Sequence, residues 1–264
     1  MHTSEVNIDN KARVARQFSR AAMRYDEAAQ VQVDIAFDAM QLLKPGYTRL
    51  LDIGCGTGRV SRQLAPRCAQ LVAMDLAEGM LSFAARQEDK SSHNIHWLQA
   101  DAEHLPLLDN SLDGVFSSMA LQWCPNIQQV CQEIHRVLEP KGQAILAILA
   151  EGSMQELQQS WRSLDSQQHV NQFLNRHDWQ SAAQTLGFTV QSTEQTYTTW
   201  HANVRELLGS IKAIGANVVT KTGNHGSISR ANLQVLQHHY QQSFGVQGRL
   251  PLSYQVCFLQ LTKD

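Results

Sequence analysis

No long hydrophobic run occurs in the sequence. The longest unbroken apolar stretch, Ala144 to Ala150, has seven residues, against the roughly 18 to 20 that span a bilayer. The first residues (MHTSEVNIDNKARVARQF) contain no apolar segment of a secretory signal, so a cytoplasmic protein with no membrane attachment is expected. Cysteine is scarce: Cys55, Cys68, Cys124, Cys131 and Cys257 are odd in number and include no C-x-x-C pair, which argues against a disulfide framework and a zinc ribbon. Eleven histidines show no ligand spacing, and no metal is expected. With 6 Pro and 15 Gly the chain is neither collagen-like nor a low-complexity linker. A net charge of −2 points to no nucleic-acid partner. What is present, 43% hydrophobic residues over 264 positions, suffices for a sizeable core.

The middle of the chain alternates short apolar runs with longer mixed ones. Leu50 to Ile53, Leu71 to Met74, Ile95 to Leu98, Leu112 to Phe116 and Ala144 to Leu149 read as strands. Helices are expected around Val60 to Leu64, Gly79 to Gln87 and Ile127 to Leu138, the last ended by Pro140-Lys141-Gly142. Such repetition implies a doubly wound, mostly parallel α/β core over 49–150. Residues 10–43 read as helical. Phe188 to Trp200 and Leu252 to Leu261 read as two further strands at one edge, antiparallel to each other. Between them lies an insert, 201–250, with helices at Asn203 to Ile214 and Ser229 to Gln242 and a loop at Thr220 to Gly226. The absence of a repeat or a linker favours one elaborated domain over 1–264: a helical cap at 1–48, the core, and a C-terminal half at 151–264.

The strongest local signal is Leu50-Leu51-Asp52-Ile53-Gly54-Cys55-Gly56-Thr57-Gly58, a strand running into a glycine-rich turn and then a helix. Glycines let the backbone turn tightly and let a ligand approach it. The spacing is G-x-G-x-G, with Arg at 59, not the G-x-G-x-x-G of dinucleotide sites. Asp52 at the strand end suits a ligand bearing a positively charged amine. Asp75 closes the next strand near the offset at which an acid reaches a ribose diol. Asp101, after the third strand, is placed either to accept an adenine amine or to cap a helix. Three acids at the carboxyl ends of successive strands sit where open α/β sheets bind ligands.

With these residues the chain resembles the seven-stranded S-adenosylmethionine-dependent methyltransferases. LDIGCGTG matches their first motif, Asp75 their ribose-binding acid, Asp101-Ala102 their adenine contact and VLEPKGQAIL their fifth-strand entry. The resemblance implies S-adenosylmethionine as cofactor and S-adenosylhomocysteine as product. Asp52 and the backbone of Gly54, Cys55, Gly56 and Gly58 would hold the methionine end, Asp75 with Leu76 the ribose, and Met80, Asp101 and Ala102 the adenine. It also implies a seven-stranded sheet with an antiparallel edge strand, N-terminal helices and a helical insertion before the last strand.

The flanks narrow the resemblance. FSRAAMRYD at 18–26, Leu121-Gln122-Trp123-Cys124, Ile211-Lys212-Ala213-Ile214-Gly215-Ala216 and Leu250-Pro251-Leu252-Ser253-Tyr254 look like the malonyl-acyl-carrier-protein O-methyltransferases of biotin synthesis, the BioC type, nearly end to end. Arg13, Arg16, Arg20 and Arg24 share one helical face beside an apolar stripe of Val14, Phe18, Ala21 and Tyr25. This pattern reads either as a solvated basic face or as a helix closing over the cofactor, with Tyr25 as a wall and an arginine toward an anionic substrate. The insert carries five basic residues against Glu206 alone, which suits a small acidic carrier protein or an ordinary solvated surface equally.

The resemblance thus implies methyl transfer to the free carboxylate of malonyl-acyl-carrier protein, or of malonyl-coenzyme A. An acceptor already ionised at pH 7 requires no general base, so no catalytic side chain is expected and catalysis is positioning. Tyr25 and Trp123 are expected at the acceptor mouth, and Arg20, Arg205 and Lys212 are the unranked candidates to hold its carboxylate. A methyltransferase acting on a quinone precursor, and a cofactor-binding protein without catalysis, are the alternatives.

Overall fold

The computed structural model describes residues 2–87, 93–216 and 228–264. The chain opens with two helices, α1 (His2–Ala28) and α2 (Gln30–Met40). Strands β1 (Tyr47–Ile53), β2 (Cys68–Asp75), β3 (Ile95–Gln99), β4 (Leu112–Ser118) and β5 (Leu138–Leu149) then alternate with α3 (Arg59–Leu64), α4 (Glu78–Arg86) and α5 (Ile127–Val137). Helices α6 (Gln155–Arg162) and α7 (Arg176–Gln184) lead to β6 (Phe188–His201). Helices α8 (Val204–Ala213) and α9 (Arg230–Phe244) lead to β7 (Leu250–Lys263). The expected Thr220-to-Gly226 loop lies outside the described residues.

The seven strands form one sheet in the order β3-β2-β1-β4-β5-β7-β6. Neighbours from β3 to β5 are parallel, and β7 runs antiparallel to both β5 and β6. Central strands read as continuous apolar runs because helices cover both faces. Along β1 the side chains divide: Leu50 packs with α2 on one face, Leu51 and Ile53 with α5 and α7 on the other. The same two-residue alternation sends Ile145 and Leu146 to opposite layers.

The expectation that Pro140-Lys141-Gly142 ends the third core helix is corrected. Helix α5 stops at Val137, and Leu138 already pairs with Leu112. The next register pair is Gly114 with Gln143, so the Pro-Lys-Gly segment bulges out of the ladder, with Lys141 at φ +69°. Proline has no N–H to donate, so a strand containing it must loop past its partner there.

Candidate functional site

Three adjoining cavities open at the carboxyl ends of β1, β2 and β4. The first, of about 120 Å³, lies between the β1 and β2 ends and the face of α1. A second, of about 60 Å³, sits beside the glycine turn and α2. The third, of about 260 Å³, is walled by α1, α6 and α8. Tyr25 and Met119 line all three. Met119 holds φ +57° directly after β4, an uncommon conformation for a residue with a side chain and one that tends to occur at functional sites.

The glycine turn is built by close contacts. Gly54 has φ +77°, and a Cβ there would sit 2.2 Å from the Ala120 Cβ. The N–H groups of Gly54 and Cys55 both donate to the Met74 carbonyl, at 2.8 and 2.9 Å. Asp75 clamps the turn: its Oδ2 accepts from the Gly56 N–H at 2.9 Å and its Oδ1 from the Ala77 N–H at 2.7 Å. Burial raises the Asp75 pKa, and these backbone donors partly offset it. Each carboxylate oxygen keeps a lone pair for a ligand hydroxyl.

Asp52 is buried beneath the turn, where the Ser61 hydroxyl donates to its Oδ2 at 2.6 Å. Burial, with the nearby Asp75 charge adding to it and the Ser61 bond opposing, pushes the Asp52 carboxyl up to about 7. A carboxylate in that position calls for a cation. Asp52 and Cys55 line the small cavity, whereas Leu76, Met80, Asp101 and Ala102 line the first. Gly58 lines neither: with φ +73°, it packs beneath the Trp97 ring, which a Cβ would strike at 2.4 Å. Gly58 therefore shapes the start of α3 instead of facing the cavities.

Asp101 is engaged on both oxygens. Its Oδ2 accepts from the Lys11 ammonium at 2.6 Å and its Oδ1 from the Glu103 N–H at 3.0 Å. Lys11 also reaches Glu103 Oε2 at 2.6 Å. Burial alone would lower the Lys11 pKa, but the two carboxylates outweigh it and raise it. Lys11, Val14, Phe18 and Tyr25, spaced 3, 4 and 7 along α1, share the face that closes the first cavity. Helix α1 lies backbone to backbone with α4, where a Cβ on Gly79 would meet the Ser19 backbone at 2.8 Å, and with the end of α8, where a Cβ on Gly215 would meet Gln17 O at 3.0 Å.

The structure separates the proposed acceptor residues. Tyr25, Trp123 and Lys212 line the large cavity together, and the Trp123 ring meets Phe18 edge-on at 5.6 Å. Lys212 is exposed at its mouth. Arg20 and Arg205 do not belong there. Arg20 is exposed two positions from Phe18, about 200° around α1, and so faces away from the cavities. Arg205 lies two helical turns from Lys212, about 10 Å along α8, on a separate groove between α8 and α9.

Residues that the sequence reading passed over complete the walls. Lys11 and Met119 are two. Trp161 and His169 stack at 3.9 Å on the far side of the large cavity, and His169 Nε2 lies 2.9 Å from Asp165 Oδ1. Gln32 borders both the large and the small cavity. A signal for it was available: in α2, Gln32, Ile35, Ala36 and Ala39 fall on one buried face, and Gln32 is its polar member.

The arrangement fits S-adenosylmethionine on its own observations. The buried Asp52 matches a ligand ammonium, Asp75 has free lone pairs for a diol, and Met80 and Leu76 offer an apolar bed. Ser118 Oγ, buried at the junction of the two smaller cavities, has no partner among the described residues.

Comparison with known proteins agrees. A methyltransferase domain model matches residues 51–146. The malonyl-[acyl-carrier protein] O-methyltransferase of Serratia marcescens is 37% identical over 258 residues, covering 97% of each chain. The biotin biosynthesis bifunctional protein BioHC of Cellvibrio japonicus is 38% identical over 260 residues, which are 96% of this chain and 50% of that protein, so the chain spans about half the length of this relative. In fold it is similar to the YcgJ protein of Bacillus subtilis, with a TM-score of 0.62 at 18% identity, covering 87% of this chain and 97% of that one. With more than a third of its residues shared over nearly the full length of the Serratia protein, the chain belongs to the malonyl-[acyl-carrier protein] O-methyltransferase family.

Proposed function

We propose that the protein transfers the methyl group of S-adenosylmethionine to the free carboxyl of a malonyl thioester on acyl-carrier protein, an early step of biotin synthesis. The observation that carries this reading is the junction of the cavities at Tyr25 and Met119, which supports a cofactor pocket over the ends of β1 and β2 in continuity with a larger pocket for the acceptor. The cofactor supplies an electrophilic methyl on a sulfonium. The chain supplies the rest. Asp52 and the backbone of Gly54, Cys55 and Gly56 hold the methionine end, Asp75 and Leu76 the ribose, and Met80, Asp101 and Ala102 the adenine.

Tyr25 and Trp123 wall the acceptor side, and α1 excludes water from above. Burial raises the Tyr25 hydroxyl pKa well above its ordinary value, with Asp75 and Asp26 adding to the shift, so it stays a neutral wall and not a base. No base is needed, because the acceptor arrives as an anion; the rate gain comes from alignment in a water-poor cavity. Cys124 is no nucleophile, since burial pushes its thiol up to about 12. The sheet running unbroken from β3 to β6 supports treating the core and the C-terminal half as one working unit, and the close packing of α1 on α4 and on the end of α8 supports adding the cap to it.

The test is mass spectrometry of malonyl- and acetyl-acyl-carrier protein after incubation with labelled S-adenosylmethionine and this protein. A gain of one methyl on the malonyl form alone is expected. No transfer in a sample that binds cofactor would overturn the substrate assignment.

A further inference from the structure

Gln32 is 8% exposed, yet its side-chain Oε1 has no hydrogen-bond partner among the described residues. A buried polar group left unpaired destabilises a fold, and such groups call for a ligand, ion or water that satisfies them. Gln32 is one of the few residues bordering both the small cavity by the glycine turn and the large cavity, so it stands between the pockets read above as the cofactor's methionine end and the acceptor's.

Of the cations at these cavities, Lys11 is committed to an ion pair with Asp101 and Glu103, and Lys212 stands at the exposed mouth of the large one, on the side away from the glycine turn. Arg59 is exposed. The two arginines suggested by sequence, Arg20 and Arg205, line neither cavity.

We propose that the Gln32 carboxamide is the group that holds the acceptor's free carboxylate, its Nε2–H donating to the oxygen that is not methylated. The amide's oxygen and nitrogen are interchangeable by a flip about its last torsion, so the donor can face the acceptor. A neutral donor orients a carboxylate without neutralising it, whereas a tight ion pair with an arginine would hold both oxygens and lower their nucleophilicity. The free oxygen forms its bond to the methyl carbon as the carbon–sulfur bond breaks, the electron pair stays on sulfur, and no proton moves. This role rests on the malonyl reading above.

The test is Gln32→Leu, which keeps much of the side-chain volume and removes the amide. Three quantities are measured: kcat/KM for malonyl-acyl-carrier protein, cofactor Kd by calorimetry, and Tm. The expected result is a loss in kcat/KM of about 10- to 100-fold, the size of a hydrogen bond to a charged group, with cofactor Kd within about threefold and Tm unchanged or higher. A Tm at or above wild type distinguishes this from a structural role, which would lower it. Retained kcat/KM, an equal loss in cofactor affinity, or a falling Tm with both would each overturn the assignment. Absence of transfer by the wild-type protein sinks the substrate reading and this role with it, whereas equal transfer by wild type and Gln32→Leu removes only Gln32.

Discussion

At the scale of single residues, burial gives the Asp52 carboxyl a pKa of about 7, so it changes charge within the range where such proteins are assayed. Binding of a cationic ammonium favours the ionised form, and cofactor affinity should therefore rise with pH and level off above about 7. Below that value it should fall by up to about tenfold per unit, as one proton is linked to binding; calorimetry at several pH values between 5.5 and 8 would show the slope. Stability without cofactor follows the opposite trend. Between about pH 4 and pH 7 the folded state keeps the Asp52 proton that the unfolded chain has lost, so stability declines as pH rises through that window. Asp52→Asn should consequently unfold at higher urea than wild type at pH 8, by on the order of a few kcal/mol, while losing measurable cofactor binding.

Gly54 sets a second limit at this scale. Its Cβ position lies 2.2 Å from Ala120 and its φ is +77°. Gly54→Ala combines overpacking with a left-handed backbone and should cost ~2 kcal/mol or more in urea unfolding. Gly56 has no atom within 4 Å of its Cβ position, so Gly56→Ala should bear only the cost of its positive φ.

Among the elements, α1 does the enclosing. It is attached on three sides: to α4 through Gly79, to the end of α8 through Gly215, and to the glycine turn through the Thr57 hydroxyl, which donates to Asp26 Oδ1 at 2.7 Å. The Lys11 bridge to Asp101 and Glu103 fastens its first half over the end of β3. Lys11→Met removes that fastening and leaves two carboxylates facing each other. Cofactor should then dissociate about tenfold faster, equivalent to roughly 1.4 kcal/mol, in stopped-flow displacement, with faster hydrogen exchange confined to α1. Periodicity made this helix legible in the sequence, because Phe18 and Tyr25 stand on one apolar stripe. It did not reveal Lys11 as a member of that stripe, since a lysine's partners are set by loops brought from 90 residues away. The same limit explains Arg20 and Arg205: charge type suggested a carboxylate ligand, but helix phase and axial position send both elsewhere. The Pro140 bulge was hidden because proline ends helices and distorts strands alike.

Over the whole molecule, the sheet and the acids lining the two smaller cavities were readable because they depend on local signals: continuous apolar strands, a G-x-G-x-G turn, and acids at strand ends. The acceptor cavity was not, because α1, α6 and α8 come from distant parts of the chain to build it. Its entrance lies beside the exposed Lys212, and Arg205, Arg230 and Arg249 are exposed on the same insert. If this face steers an acidic carrier protein, KM for the carrier-bound substrate should climb steeply between low salt and about 0.3 M, because the Debye length is already down to about 10 Å at 0.1 M. Cofactor Kd over the same range should hold steady. Initial-rate measurements across a salt series would check both.

The placement of β7 between β5 and β6 imposes an order on synthesis. When β6 leaves the ribosome, β7, its one sheet partner among the described residues, does not yet exist, and β5 likewise has one bare edge. Residues 202–249 must be made first, an interval of about 2 to 10 seconds at ordinary elongation rates. For that time two strands of 12 and 14 residues present unpaired backbone, the kind of edge that recruits other chains. The last strand thus acts as a wedge that arrives late, and the nascent protein is most in need of a chaperone just before its final fourteen-residue strand, β7, appears.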